Sequence, residues 1–176
     1  MFNFERWYTM TPRKPMPPLD ELNNIFDYID GKLYWKLNKT KVGGKAAGYK
    51  RPPNYYTYIG YKSIYYLEHR LIYFMHHKSV PDNIDHIDGD VSNNKIENLR
   101  ECTHIQNMYN VKTSKSNSSG FKGVSYYKTN KKWFGSVSID GVRIKKMFDT
   151  IEGATEWTIC MRKKHHGEFL NNGQGI

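Results

Sequence analysis

The sequence predicts an α+β chain. A β-rich N-terminal region leads into a short mixed centre, and a small three-stranded antiparallel sheet packed on one helix follows. Three observations carry that expectation. Short runs rich in Tyr, Phe, Trp, Val and Ile alternate with turn pairs such as Asp30-Gly31 and Asp140-Gly141, which is the grammar of hairpins. Helical spacing is confined to a few short segments with recognisable caps. A polar, Ser-rich stretch, TSKSNSSG, marks a domain boundary, so residues 1–61, 62–112 and 120–170 read as three units with 113–119 as linker.

In order along the chain, residues 1–18 contain Pro12, Pro15, Pro17 and Pro18 and read as an extended arm. Leu19 to Ile25 reads as a short helix with Leu22, Ile25 and Phe26 on its apolar side. FDYIDGKLYWKL is a hairpin, KTKVGGKAAGYKRPPN a basic Gly-rich loop, and YYTYIGYKSIYYLEHR a second hairpin turning near Gly60 to Ser63. LEHRLIYFMHH has Leu67, Leu71, Phe74 and Met75 at the spacing of one helical face, with Pro81 as a stop. Ile84, Ile87, Ile96 and Leu99 anchor strand-like pieces around a polar loop. THIQNMYNVK suits a short helix capped by Thr103. FKGVSYYK, KKWFGSVSI and VRIKKMF are three strands, and Asp149 or Thr150 caps a last helix from about Ile151 to His166. Its apolar side is Ala154, Trp157, Cys160 and Met161, and Gly167 follows its basic last turn.

Composition narrows the function. The 176 residues carry 27 Lys plus Arg against 17 Asp plus Glu, a net charge of +10, and 8 Phe, 4 Trp and 14 Tyr supply a modest core. No apolar run reaches the roughly 18 residues of a membrane span, and the N-terminus has no apolar signal region, so a cytoplasmic protein is expected. Cys102 and Cys160 can form neither a disulfide framework nor a four-cysteine zinc site. The basic excess points to a polyanionic partner, nucleic acid before others.

That charge is unevenly spread. Residues 1–61 have net charge +5, residues 62–110 have −2 and residues 111–176 have +7. Between Gly31 and Leu67 there is no acidic residue, and Lys45 and Arg51 sit there among many Tyr as candidate phosphate contacts. A purely DNA-binding protein has no electrostatic reason for an acidic centre; a nuclease does, because carboxylates hold a metal cation against a phosphate.

The centre contains IDHIDGDVSNNKIENLRECTHIQN. Metal-assisted phosphodiester cleavage needs hard oxygen ligands for a cation that keeps several waters, and a neutral imidazole to take a proton from water. Asp85 adjoins His86; in a strand they point to opposite faces, so the strand must curve to bring both to one phosphate. Asp88 and Asp90 do not make an EF-hand, because that motif's Gly and final Glu positions hold Asn93 and Leu99.

This string resembles the HNH (His-Me finger) endonuclease motif of the phage and group I intron homing type, over about 25 residues; GKLYWK, AGY and EHRLIYFMHH upstream resemble the same proteins. The resemblance implies a ββα-metal finger and DNA hydrolysis with Mg²⁺, for which Mn²⁺ can substitute. In it Asp85 is a metal ligand, His86 the general base, Asn98 the brace of the loop and Asn107 the second metal ligand, with His104 as second choice for that last role. Supporting CxxC pairs are missing, so no structural zinc is expected. His69 with Arg70 reads as a packed or phosphate-near pair, and His76 and His77 as surface residues.

Residues 119–169, with GV in the first strand, KW in the second and FDT before an Ala-containing helix, resemble the ethylene-response-factor type of DNA-binding domain. Lys122, Ser125, Trp133, Ser138 and Ile144 fall at or near that family's contact positions. Chemistry alone makes Lys122, Lys132, Arg143, Lys145 and Lys146 candidate phosphate contacts, while Trp133 and Trp157 read either as exposed stacking groups or as sheet–helix core.

The expectation is therefore a double-stranded DNA endonuclease leaving 5′-phosphate and 3′-hydroxyl ends, with no membrane partner and no small-molecule cofactor. A monomer would nick and a dimer could cut both strands. A catalytically dead DNA-binding regulator and an RNA-directed nuclease are the alternatives.

Overall fold

The structure is a computed structural model that describes residues 15–37, 43–53, 55–114 and 116–173. Most of the extended arm expected at residues 1–18, and part of the Gly-rich loop, lie outside the described residues. The architecture is mixed α and β, built among the described residues from small antiparallel sheets and four helices, as the sequence predicts.

Helix α1 (Leu19–Ile25) packs its Leu22 inward and runs straight into the first hairpin, β1 (Phe26–Ile29) and β2 (Lys32–Trp35). Asp30 and Gly31 both take positive φ, 47° and 81°, the geometry a two-residue hairpin turn requires. The second sheet has three strands, β3 (Tyr49–Arg51), β4 (Tyr56–Tyr61) and β5 (Ile64–Leu67). Strand β3 lies inside the segment read as loop. The sequence hides it because YKR is short, fully exposed and follows Gly48, and it is a strand only by pairing with β4. The β4–β5 turn is Lys62-Ser63, both with positive φ and neither a glycine, so its position is set by the strands it joins.

Helix α2 (Glu68–His77) crosses these hairpins and closes one core with Leu22, Phe26, Leu33, Ile59, Leu71 and Ile72. Its buried face is wider than expected. Glu68, His69, Leu71, Ile72 and Tyr73 are buried, Phe74 and Met75 are half-buried, and Leu67 belongs to β5. The helix is covered on two sides, by the sheet and by the central finger, so polar residues go inside with it.

The finger follows. Strands β6 (Asn83–His86) and β7 (Leu99–Cys102) pair antiparallel, and helix α3 (His104–Asn110) starts at a Thr103 capping box with Gln106. Ile84 and Leu99 join the core, whereas Ile87 is exposed.

The last unit is the expected sheet, β8 (Val124–Tyr127), β9 (Lys132–Ile139) and β10 (Val142–Phe148), in the order β10-β9-β8, with α4 (Ile151–His165) across it and Thr150 as N-cap. The inward stripe of α4 is Ala154, Thr158 and Arg162, four residues apart. Cys160, expected on that side, is exposed. A Cβ on Gly135 would come within 2.7 Å of the Trp157 ring, so helix and sheet touch where the central strand has no side chain. No helix among the described residues is long and apolar enough to cross a membrane.

Candidate active site

Strand register places Asp85 opposite Arg100 and His86 opposite Leu99. Beyond His86 the chain turns sharply, and the loop is braced from within. The Asn98 side chain accepts from the Asp88 N–H (3.1 Å) and donates to Asp88 Oδ1 (3.0 Å) and the Asn93 carbonyl (2.8 Å). Its own carbonyl accepts from the Ile87 N–H (2.9 Å). Burial works against the charge on Asp88, but hydrogen bonds from the Asp90 N–H, Asn93 and Asn98 hold its carboxyl below the usual range.

His86 is 4% exposed, between Tyr56 and His69, whose ring centroids lie 6.2 and 5.2 Å away. Its Nε2 is 2.9 Å from Asn94 Oδ1, and the Asn94 amide in turn donates to Glu68 Oε2 (3.0 Å). Glu68 Oε1 accepts from the Leu33 N–H (2.9 Å). The chain of donors has one direction. Asn94 must present its oxygen to His86, so Nε2 is the donor, and in the neutral ring Nδ1 is the nitrogen with the free lone pair. Burial pushes the Glu68 carboxyl up, against the hydrogen bonds it accepts. Burial, with lesser repulsion from His86 and Arg70, pushes His69 down to about 3, so the neighbouring ring adds no positive charge.

Asp85 is 4% exposed and fully engaged on one side. Arg100 donates through Nε (2.9 Å) and Nη2 (2.7 Å) to Oδ2, a charge-assisted fork. Asn110 Nδ2 reaches both carboxylate oxygens (3.0 and 3.1 Å) and the carbonyl of His86 (2.7 Å). One amide thus ties the Asp85 carboxylate to the His86 backbone, and both residues line one cavity. That cavity, about 210 Å³, is lined by Asp85, His86, Asn107, Asn110, Tyr56 and Lys112 among others. The Asn107 side chain makes no hydrogen bond among the described residues and lines the cavity beside Asp85. His104 is exposed at the start of α3 and does not line it.

A hard divalent cation fits the donors present. The Asp85 carboxylate and the Asn107 side-chain oxygen are hard donors of the kind such a cation takes, and water and phosphate would have to complete its shell. Among the described residues no three His, Cys, Asp or Glu side chains converge to hold a metal.

The proposed nucleic-acid contacts divide. Lys45, Arg51, Arg143, Lys145 and Lys146 are exposed. Arg143 and Lys145 stand on the face of the last sheet turned away from α4, with Ser136 and Ser138 as cross-strand neighbours. Lys146 is on the other face by alternation, above Phe148. Lys132 is ion-paired with Asp149. One residue departs from expectation. The Lys122 ammonium donates to the carbonyls of Tyr109 (2.9 Å) and Val111 (2.5 Å), and burial beside Arg162 pushes it down to about 8; it is a strut between α3 and the last unit, not a phosphate contact. Trp133 is half-buried on the helix-side face with Gly135 and packs against Tyr126 at 5.0 Å.

Sequence reasoning did not find Glu68, Asn94, Arg100 or Asn110. Arg100 was accessible from strand pairing with Asp85. Asn110 lies one helical turn after Asn107, and that spacing alone marks it as a neighbour. Asn94 had no local signal, because only the folded loop brings it under His86.

A ββα finger with a paired Asp-His at its strand end defines a nuclease-type site. In agreement, the family model described as HNH endonuclease matches residues 66–109. The chain is 37% identical over 86 residues to "Protein 3.8" of Escherichia phage T7, an alignment covering 49% of this chain and 71% of that protein. The chain thus carries an HNH endonuclease domain at residues 66–109 and is related to this phage protein. No solved structure matches.

Proposed function

We propose that the protein is a metal-dependent DNA endonuclease in which residues 62–112 cut and residues 1–61 and 120–170 grip the duplex. The observation that carries this reading is the convergence of Asp85, His86 and Asn107 on one cavity, with Asn110 locking the first two together. His86 Nδ1 takes the proton from the attacking water. The relay through Asn94 to Glu68 stabilises the tautomer and the imidazolium that follows. Asp85 and Asn107 would hold Mg²⁺ or Mn²⁺, which when bound stabilises charge on the phosphate and on the 3′ leaving oxygen. Arg100 keeps Asp85 oriented and Asn98 holds the loop in place. Hydrolysis leaves 5′-phosphate and 3′-hydroxyl ends. Arg143 and Lys145 on the open sheet face, with Lys45 and Arg51 at the other end, contact phosphates; this use of the last unit is what its likeness to the ethylene-response-factor domain supports. A homing role and action in the host cytoplasm accord with the sequence resemblance and the phage relative.

Incubation of supercoiled plasmid with protein and Mg²⁺, then with EDTA, tests the reading. Metal-dependent nicking or linearisation by the wild type, lost in His86→Ala with duplex binding retained, is the expected result. Unchanged plasmid with Mg²⁺ and with Mn²⁺ favours a DNA-binding regulator, and preferential cutting of structured RNA favours an RNA-directed nuclease.

A further inference from the structure

We infer that the C-terminal tail, Glu168 to Gly173, is a positioning element of the cutting site, built into the finger from the far end of the chain. The inference rests on the nuclease reading for its kinetic consequence and on contacts alone for the rest. Asp85 is held by two side chains, Arg100 and Asn110, and the tail holds both. The Glu168 carbonyl accepts from Arg100 Nη1 (2.8 Å), and the Phe169 ring lies under the guanidinium at 3.8 Å. Phe169 is buried with Cys102 and Tyr109, so the ring is fixed. Asn171 Nδ2 donates to Asn110 Oδ1 (3.1 Å) and to the Asn110 carbonyl (2.8 Å).

The second contact has a direction that matters. An amide has one acceptor end and one donor end. With its oxygen occupied by Asn171, Asn110 must turn its NH₂ to Asp85 and to the His86 carbonyl. Asn171 is itself oriented, because its Oδ1 accepts from the Gly173 N–H (2.7 Å). Gly173 has φ +76°, and a Cβ there would sit 1.9 Å from Thr113 Oγ1, so Gly173 fits closely against the linker. A tail serving only to finish the last unit would need none of these contacts. Asn172 serves that separate purpose, accepting from Arg162 Nε (3.2 Å).

The test compares full-length wild type, Asn171→Asp and Asn172→Ala. Asn171→Asp keeps the shape and replaces the donor by an acceptor facing Asn110 Oδ1. Two readouts are used: hydrogen exchange of the Asn110 side-chain amide by NMR, with no metal or DNA present, and the Mg²⁺ concentration for half-maximal plasmid cutting. In Asn171→Asp the amide exchange is expected to accelerate about tenfold, the loss of roughly one hydrogen bond. The Mg²⁺ requirement is expected to rise about tenfold, with DNA affinity unchanged. Asn172→Ala should match wild type in both. Should Asn171→Asp not fold, Phe169→Leu keeps the apolar volume, and Arg100 Nε–H exchange is then expected to accelerate about threefold, the lower end of a cation–π contact. Unchanged exchange in folded Asn171→Asp, or in Phe169→Leu where that stands in, overturns the inference. So does acceleration of equal size in Asn172→Ala. Absence of cutting by the wild type refutes the nuclease reading instead, and leaves the exchange result to decide this one.

Discussion

At the scale of single residues, the proton arrangement of His86 is the sharpest feature. Its Nε2–H is held by Asn94, which is oriented by Glu68, and only Nδ1 is left for chemistry. His86→Ala is expected to cut about 10²–10⁴ times more slowly, the usual worth of a general base. Asn94→Ala removes the acceptor and strands a buried donor on His86; plasmid cutting should fall about 10–100-fold, and urea unfolding should show a loss of about 1–3 kcal/mol. His69 gives a pH signature. Its pKa is about 3 in the folded chain against an ordinary 6.5, so between those values the unfolded state binds more protons. Its contribution to stability is complete above about 6.5 and is lost as pH falls toward 3. Urea midpoints from pH 7 to pH 4 should therefore decline more steeply for wild type than for His69→Phe; parallel curves would falsify the assignment of a neutral, buried ring. This scale was partly legible. Asp85, His86 and Asn107 stand out by residue type, Asn98 only through the likeness to the HNH motif, and all four lie in the finger. Asn94 and Glu68 do not stand out, since a buried Glu and a loop Asn look like surface residues until burial is known.

At the scale of elements, hairpins and caps were readable because their signals are local. Asp30-Gly31 and Asp140-Gly141 adopt the positive φ values that two-residue turns demand, and Thr103 and Thr150 cap the helices that follow them. Strand β3 was not readable, because its only reason to be a strand is β4. Likewise the inward stripe of α4 runs through Thr158 and Arg162 in preference to Cys160, since the helix meets Gly135 and follows the groove that glycine leaves. Gly135→Ala pushes a methyl into Trp157 and the Thr158 methyl group, with nearest approaches of 2.7 and 3.0 Å. The expected cost is about 1–3 kcal/mol of overpacking, measurable by urea unfolding followed through Trp fluorescence.

At the scale of the whole molecule, the split of charge becomes a geometric statement. The acidic centre is the finger, and exposed Lys45, Arg51, Arg143 and Lys145 lie in the two basic flanks. Duplex affinity should fall linearly with log salt concentration. Arg143→Ala and Lys145→Ala should each reduce the slope by about 1, as expected for loss of one phosphate contact; Lys122→Ala should leave the slope unchanged, since its charge is spent on carbonyls. The linker was legible as polar sequence, but the joint across it was not. Tyr109 stacks flat on His166, centroids 3.7 Å apart and planes within 3°, and the Asp140 N–H donates to the Tyr109 hydroxyl at 2.7 Å.

That stack makes the joint a ruler. If the last sheet reads DNA, the distance in base pairs from the bound site to the scissile phosphate is fixed by Tyr109, His166 and Lys122, and not by the length of residues 113–119. Inserting Gly-Ser pairs into the linker should leave the cut at the same offset, whereas Tyr109→Ala should blur it over neighbouring phosphates.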